Sequence, residues 1–94
     1  MNKKTRGHKL AELLKISPVR GMEAVIKAQL IKGIIDALKK EEITHQELAN
    51  RSGLPRSAVT GILAGSLQKV TIDRVLKMVE AAGLVADVRV RKAA

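Results

Sequence analysis

Ninety-four residues carrying a net charge of +9, with a pI near 10.4, make one small basic domain. The excess of lysine and arginine implies attraction to a polyanion: DNA, RNA or an anionic membrane surface. Phe, Tyr and Trp are missing, which removes the platform on which single-strand RNA modules stack an unpaired base. Cys is missing too, excluding a disulfide framework or a thiolate zinc site, and no apolar run approaches the roughly 20 residues of a membrane span or resembles a secretion signal. The expected setting is the cytoplasm.

The chain opens on a basic arm, residues 1–22, with six basic residues against one acidic, Glu12, a net of +5. Within it KLAELLKI, residues 9–16, predicts a short amphipathic helix with Leu10, Leu13 and Leu14 on one side, broken by Ser17-Pro18. A long helix follows over about 23–41. Its predicted apolar stripe holds Ala24, Ala28, Ile31, Ile35 and Leu38, with Leu30 and Ile34 beside it, and Glu23–Lys27 and Asp36–Lys40 form i,i+4 pairs on the wet side.

THQELANRSGLPRSAVTGILAG, residues 44–65, packs two short helical patterns around one glycine. Thr44 and Glu47 are spaced as a capping box, so a helix starts there. Gly53 ends it at a position that calls for a positive φ. Leu48 and Ala49 on the first helix, and Val59, Ile62 and Leu63 on the second, are spaced to bury one face of each against the other. Pro55 falls in the first turn of the second helix, where its missing amide costs nothing but a side-chain cap is lost.

Residues 66–70 read as a loop. Thr71 caps a helix over about 72–82, stopped by Gly83, with Val75, Leu76 and Val79 completing the core. The tail then switches to a period of two, with Leu84, Ala86, Val88 and Val90 on one face and Val85, Asp87, Arg89 and Arg91 on the other. That pattern predicts a strand, which needs a partner, either the N-terminal segment or the same strand of a second subunit. Three units are expected: the arm 1–22, a helix-turn-helix domain 23–83, and a terminal strand 84–94 serving as a dimer seam.

The motif residues Ala49, Gly53, Val59 and Ile62 resemble the Xre/Cro family of DNA-binding helix-turn-helix proteins. His45 stands where that family usually has Gln, Pro55 where it usually has Ser, and Gly61 and Ala64 where long polar residues are common. The order of elements, from the long helix through THQELA, GILAG and AAGL to VRVRK, resembles the small HigA-type antitoxins over nearly the whole chain. The resemblance implies an all-α, five-helix lambda-repressor-like helix-turn-helix bundle with a short C-terminal β-strand. It also implies a homodimer that binds operator DNA in its own promoter and neutralises a RelE/HigB-type toxin.

On this reading the second motif helix lies in the major groove with its N-terminal residues toward the base edges. Arg56 is a base reader, because its planar fork matches O6 and N7 of guanine, and Ser57 and Thr60 bring hydroxyls, and one methyl, to the same surface. Thr44, His45 and Gln46 at the N-terminus of the first motif helix, and Ser66 and Lys69 in the following loop, are candidates for phosphate contacts. One short helix reads too few base pairs for specificity, so a two-fold pair is expected. His45 is a poor candidate for a catalytic base or metal ligand, because the only other histidine, His8, lies in the basic arm, and no nucleophile and base, phosphate loop or metal cluster is present in the sequence. The expectation is therefore no enzyme, no cofactor, no metal and no small-molecule ligand. Two alternatives stand beside the antitoxin: a free-standing repressor without a toxin, and an interaction module that mainly masks one.

Overall fold

The computed structural model of the chain describes residues 17–67 and 70–93. Ser17 opens the first helix described, α1 (Pro18–Glu41): its hydroxyl accepts from the Arg20 amide at 3.2 Å, and Pro18 takes the first helical position. Serine as cap with proline behind it is a start signal, because the proline's missing N–H would have had no partner there. The pair expected to break the chain thus begins the long helix, which starts five residues earlier than predicted. The predicted helix at residues 9–16 lies outside the described residues, as does most of the basic arm.

α1 buries Lys27, Ile31, Ile34 and Leu38, while Leu30 and Ile35 are half-buried beside them. Ala24 and Ala28, expected on the stripe, are exposed. Burial begins only at Lys27, so the earlier turns extend past the core and leave Val19, Met22 and Val25 exposed at 68%, 60% and 56%. Lys27 is tolerated inside because its Nζ donates to the Glu23 carboxylate at 3.2 Å, which also accepts from Arg20 at 3.3 Å. The expected Glu23–Lys27 pair therefore forms, but with Lys27 buried and not on the wet side, and among the described residues Asp36 and Lys40 form no ion pair. The hydrogen bond from Lys27 holds the Glu23 carboxyl below the usual carboxylate range, against the opposing effect of desolvation, and the charges of Lys27 and Arg20 add to the lowering.

α1 ends at Glu42, a non-glycine residue held left-handed at φ 54°, and the Glu42 amide and, at 2.9 Å, the Ile43 amide both donate to the Leu38 carbonyl. α2 (His45–Ser52) and α3 (Arg56–Leu63) follow as the two short motif helices, and α4 (Ile72–Ala81) closes the domain. Thr71 caps α4 by accepting from the Arg74 amide at 3.2 Å, and Gly83 turns the chain at φ 77°, both as expected. On α4 the core residues are Val75, Met78 and Val79. Leu76 is 43% exposed, contrary to expectation, because the buried face runs at 75, 78, 79 and 82.

α1 packs along α4, and α2 sits against both α3 and α4, with a lighter contact between α1 and α3. The core where these contacts meet has Ile34, Leu48, Val59, Val75 and Met78 fully enclosed. Each such side chain contributes roughly 1.5–3 kcal/mol of burial.

The expected fold needs one correction. Among the described residues there are four helices and no strand, so the protein is all-α, and the five-helix bundle with a C-terminal β-strand is not what forms. Leu84 and Ala86 tuck against the core, but Val85, Val88 and Val90 stand exposed at 89%, 73% and 92%. The alternation is genuine. Among the described residues it finds no neighbouring strand to complete its backbone hydrogen bonds, and period-two patterning without a ladder leaves an irregular tail.

Candidate nucleic-acid interface

Thr44 positions the front of α2. Its Oγ1 accepts from the Glu47 amide at 3.0 Å, so the helix begins with His45. Only half of the predicted capping box forms: the Glu47 carboxylate turns away from the Thr44 amide and pairs with Arg51. Arg51 reaches further, donating to the Ala81 carbonyl at 3.4 Å and tying α2 to the end of α4. Gly53 then turns the chain at φ 77° with its amide on the Ala49 carbonyl at 2.9 Å, and the Leu54 amide is held by the Ser52 hydroxyl at 3.3 Å. This turn sets the angle at which α3 leaves α2, with Ala49 and Leu48 of one helix buried against Val59 and Ile62 of the other.

The front of α3 alone among the described helices has no side-chain cap. Pro55 holds the cap position with no side-chain hydrogen bond, and the first turn carries no acidic residue. The first helical amide to find a partner is that of Val59, on the Pro55 carbonyl at 3.1 Å. A cation, Arg56, stands at the first helical position, where the helix dipole opposes positive charge. Arg56 and Ser57 are exposed and make no hydrogen bond to the described residues. Over residues 43–72 the sequence holds one carboxylate, Glu47, and that one is paired with Arg51. The face is therefore cationic, with uncommitted donors at its edge.

The expected phosphate set is gathered in part. Thr44, His45 and Gln46 lie together and exposed at the start of α2, with Gln46 donating to Asn50 at 3.0 Å. Ser66 is exposed beyond Gly65, with its amide on the Gly61 carbonyl at 3.1 Å, and Lys69 lies outside the described residues. Sequence reasoning missed a contact between two of its own candidates. His45 Nδ1 lies 3.2 Å from Thr60 Oγ1, joining α2 to α3 across 15 residues. Spacing carries no sign of that contact, because it depends on how the turn sets the two helices. The pair borders an open groove of about 420 Å³ formed with Ile35 and Lys39 of α1, Leu63 of α3 and Ala64 just beyond it.

Among the described residues no group of His, Asp or Glu is placed to hold a metal, and no helix is long and apolar enough to cross a membrane.

Two short helices, a left-handed glycine between them, and a second helix whose uncapped cationic end faces outward define a helix-turn-helix unit. The sequence matches the helix-turn-helix domain family over residues 12–91, and the chain belongs to that family. Helix-turn-helix domains are the groove-entering units of DNA-binding regulators, and this chain is of that type. No curated protein and no solved structure matches it significantly.

Proposed function

We propose that the chain is a sequence-specific transcriptional repressor that reads double-stranded operator DNA with α3, and that it is the antitoxin and autorepressor of a HigB/RelE-type toxin–antitoxin operon. The observation that carries the DNA-reading role is the front of α3. It has no cap, no acid and a cation at its first position, all of which cost helix stability in the free protein. A phosphate and a base edge reverse each of these costs, since orphan amides and a cation both favour a polyanion. Arg56 then reads guanine, with Ser57 and Thr60 alongside. Thr44 and Gln46 hold phosphate at the front of α2, Ser66 and Lys69 do so from beyond α3 in the sequence, and no catalytic step is assigned to any of them.

The repressor acts as a homodimer, because one helix of eight residues spans too few base pairs for operator specificity. The antitoxin role draws support from the resemblance to HigA-type proteins and from Val19, Met22 and Val25, exposed apolar side chains on the projecting part of α1 that suit a protein partner.

The test is fluorescence anisotropy of labelled DNA from the gene's own upstream region against a scrambled duplex, with wild type and Arg56→Ala side by side. The expected preference for the cognate duplex is on the order of a thousandfold. Arg56→Ala should reduce it by roughly 5- to 150-fold, the loss of one bidentate guanine contact. Equal, steeply salt-dependent binding to both duplexes would reduce the charge to a nonspecific attractor. For the antitoxin role, co-expression should restore growth to cells arrested by a toxin encoded beside this gene; failure to do so leaves a free-standing repressor.

A further inference from the structure

His45 and Thr60 are both exposed, on different helices, and joined by the 3.2 Å contact between Nδ1 and Oγ1. Thr60 lies one turn beyond Arg56, on the same side of α3. Its hydroxyl has one proton and two lone pairs, and its β-branched side chain is stiff about χ1, so a single strong partner fixes what it presents outward.

That partner has two states. When Nδ1 of a neutral imidazole is unprotonated, Thr60 donates to it, and only oxygen lone pairs face away from the protein. When Nδ1 carries a proton, it donates to one lone pair of Thr60 Oγ1, and the hydroxyl proton and the second lone pair both face outward. An outward lone pair accepts from the N6 amino group of adenine or the N4 amino group of cytosine. An outward O–H donates to O6 or N7 of guanine, to N7 of adenine or to O4 of thymine.

The geometry points to His45 as a positioning residue that acts on DNA through Thr60, the state of Nδ1 setting whether Thr60 offers a base edge acceptors alone or a donor as well. This assignment rests on the DNA-reading role of α3 and replaces the phosphate contact expected of His45. The charged groups near the imidazole come from three helices. Lys39 of α1 shares its groove, Arg56 lies one turn back on α3, and Glu47 on its own helix is paired with Arg51. Among the described residues no carboxylate is bonded to the ring.

The test is selection from a random duplex library by wild type, His45→Ala, His45→Gln, Thr60→Val and the His45→Ala/Thr60→Val double variant, at about pH 5.5 and pH 8 on either side of the ordinary histidine range. His45→Ala and Thr60→Val should each lose a preference of roughly fivefold at the same base-pair position, the worth of one hydrogen bond. The double variant should lose no more. Wild type alone should shift its preference at that position, from adenine or cytosine at the higher pH to admitting guanine or thymine at the lower. His45→Gln should restore a preference that no longer responds to pH.

Several outcomes would overturn the assignment. One is uniform weakening of all sequences by His45→Ala with the salt slope reduced by about one, which marks a phosphate contact. Another is loss at different positions in the two single variants. Both leave the DNA-reading role standing, whereas a wild type that enriches no sequence removes that role and this assignment with it. Imidazole ¹⁵N shifts of His45 in the free protein check the bond without DNA: shifts unchanged by Thr60→Val refute it. Both side chains are exposed, so far-UV circular dichroism should show the variants folded like wild type.

Discussion

Replacing Gly53 by alanine isolates the cost of the turn on which the motif depends. Gly53 sits at φ 77°, in the left-handed region, and a Cβ built there meets nothing within 4 Å. The penalty is therefore purely conformational, about 1–2 kcal/mol for an L residue forced left-handed. Alanine also stiffens the unfolded chain, which returns about 0.4–1 kcal/mol to the folded state. The net expectation is a loss of roughly 1 kcal/mol, or about 4–8 °C in Tm for a domain of this size. Urea unfolding followed at 222 nm should show the midpoint lowered and the slope unchanged. Gly53→Asn should lose less, since asparagine tolerates this region better. Unchanged or increased stability in Gly53→Ala would refute the reasoning. A loss above about 3 kcal/mol would do so from the other side, because it would require a steric displacement for which there is no cause.

Glu42 presents the same effect with the opposite sign. At φ 54° it is a left-handed non-glycine residue and a negative charge at a helix C-terminus, so Glu42→Gly should stabilise by about 0.5–1 kcal/mol in the same urea assay. The lowered Glu23 pKa makes a contribution to stability that is fully present above the unfolded-state pKa and lost as pH falls through the folded value. Urea midpoints taken between about pH 5 and pH 2 should therefore fall more for wild type than for Glu23→Gln. Leu48 is fully enclosed where α2 meets its neighbours, and Leu48→Ala should cost about 2–5 kcal/mol in urea unfolding.

What could be read from sequence was what is decided within a few residues. Thr44 and Thr71 cap their helices, and Gly53 and Gly83 turn the chain, because each is a local match between a side chain, or its absence, and adjacent backbone. Ser17-Pro18 was ambiguous for the same local reason: the pair stops a helix that precedes it and starts one that follows, and the structure uses the second sense. The face of α4 slipped from Leu76 to Met78, since helical spacing alone tolerates a neighbouring phase. The tail failed differently. Alternation at residues 84–90 is a property of the segment, whereas a strand is a property of two segments, and the described residues supply only one. Within the candidate site, the exposure of Arg56 and Ser57 followed from the motif, but the His45–Thr60 contact depends on the crossing of two helices and had no local sign.

The packing of α1 along α4 bears on when the motif becomes competent during synthesis. The two helices that brace α2 and α3 stand at opposite ends of the described chain, so the ribosome delivers the motif before its second support. Until α4 emerges, Leu48 lacks part of its enclosure and Arg51 lacks the Ala81 carbonyl that anchors it. At about 5–20 residues per second that interval lasts a second or a few. A product cut short before residue 72 would keep the α3 sequence but not the brace that holds the motif, so truncated chains should not compete with finished ones for the same target.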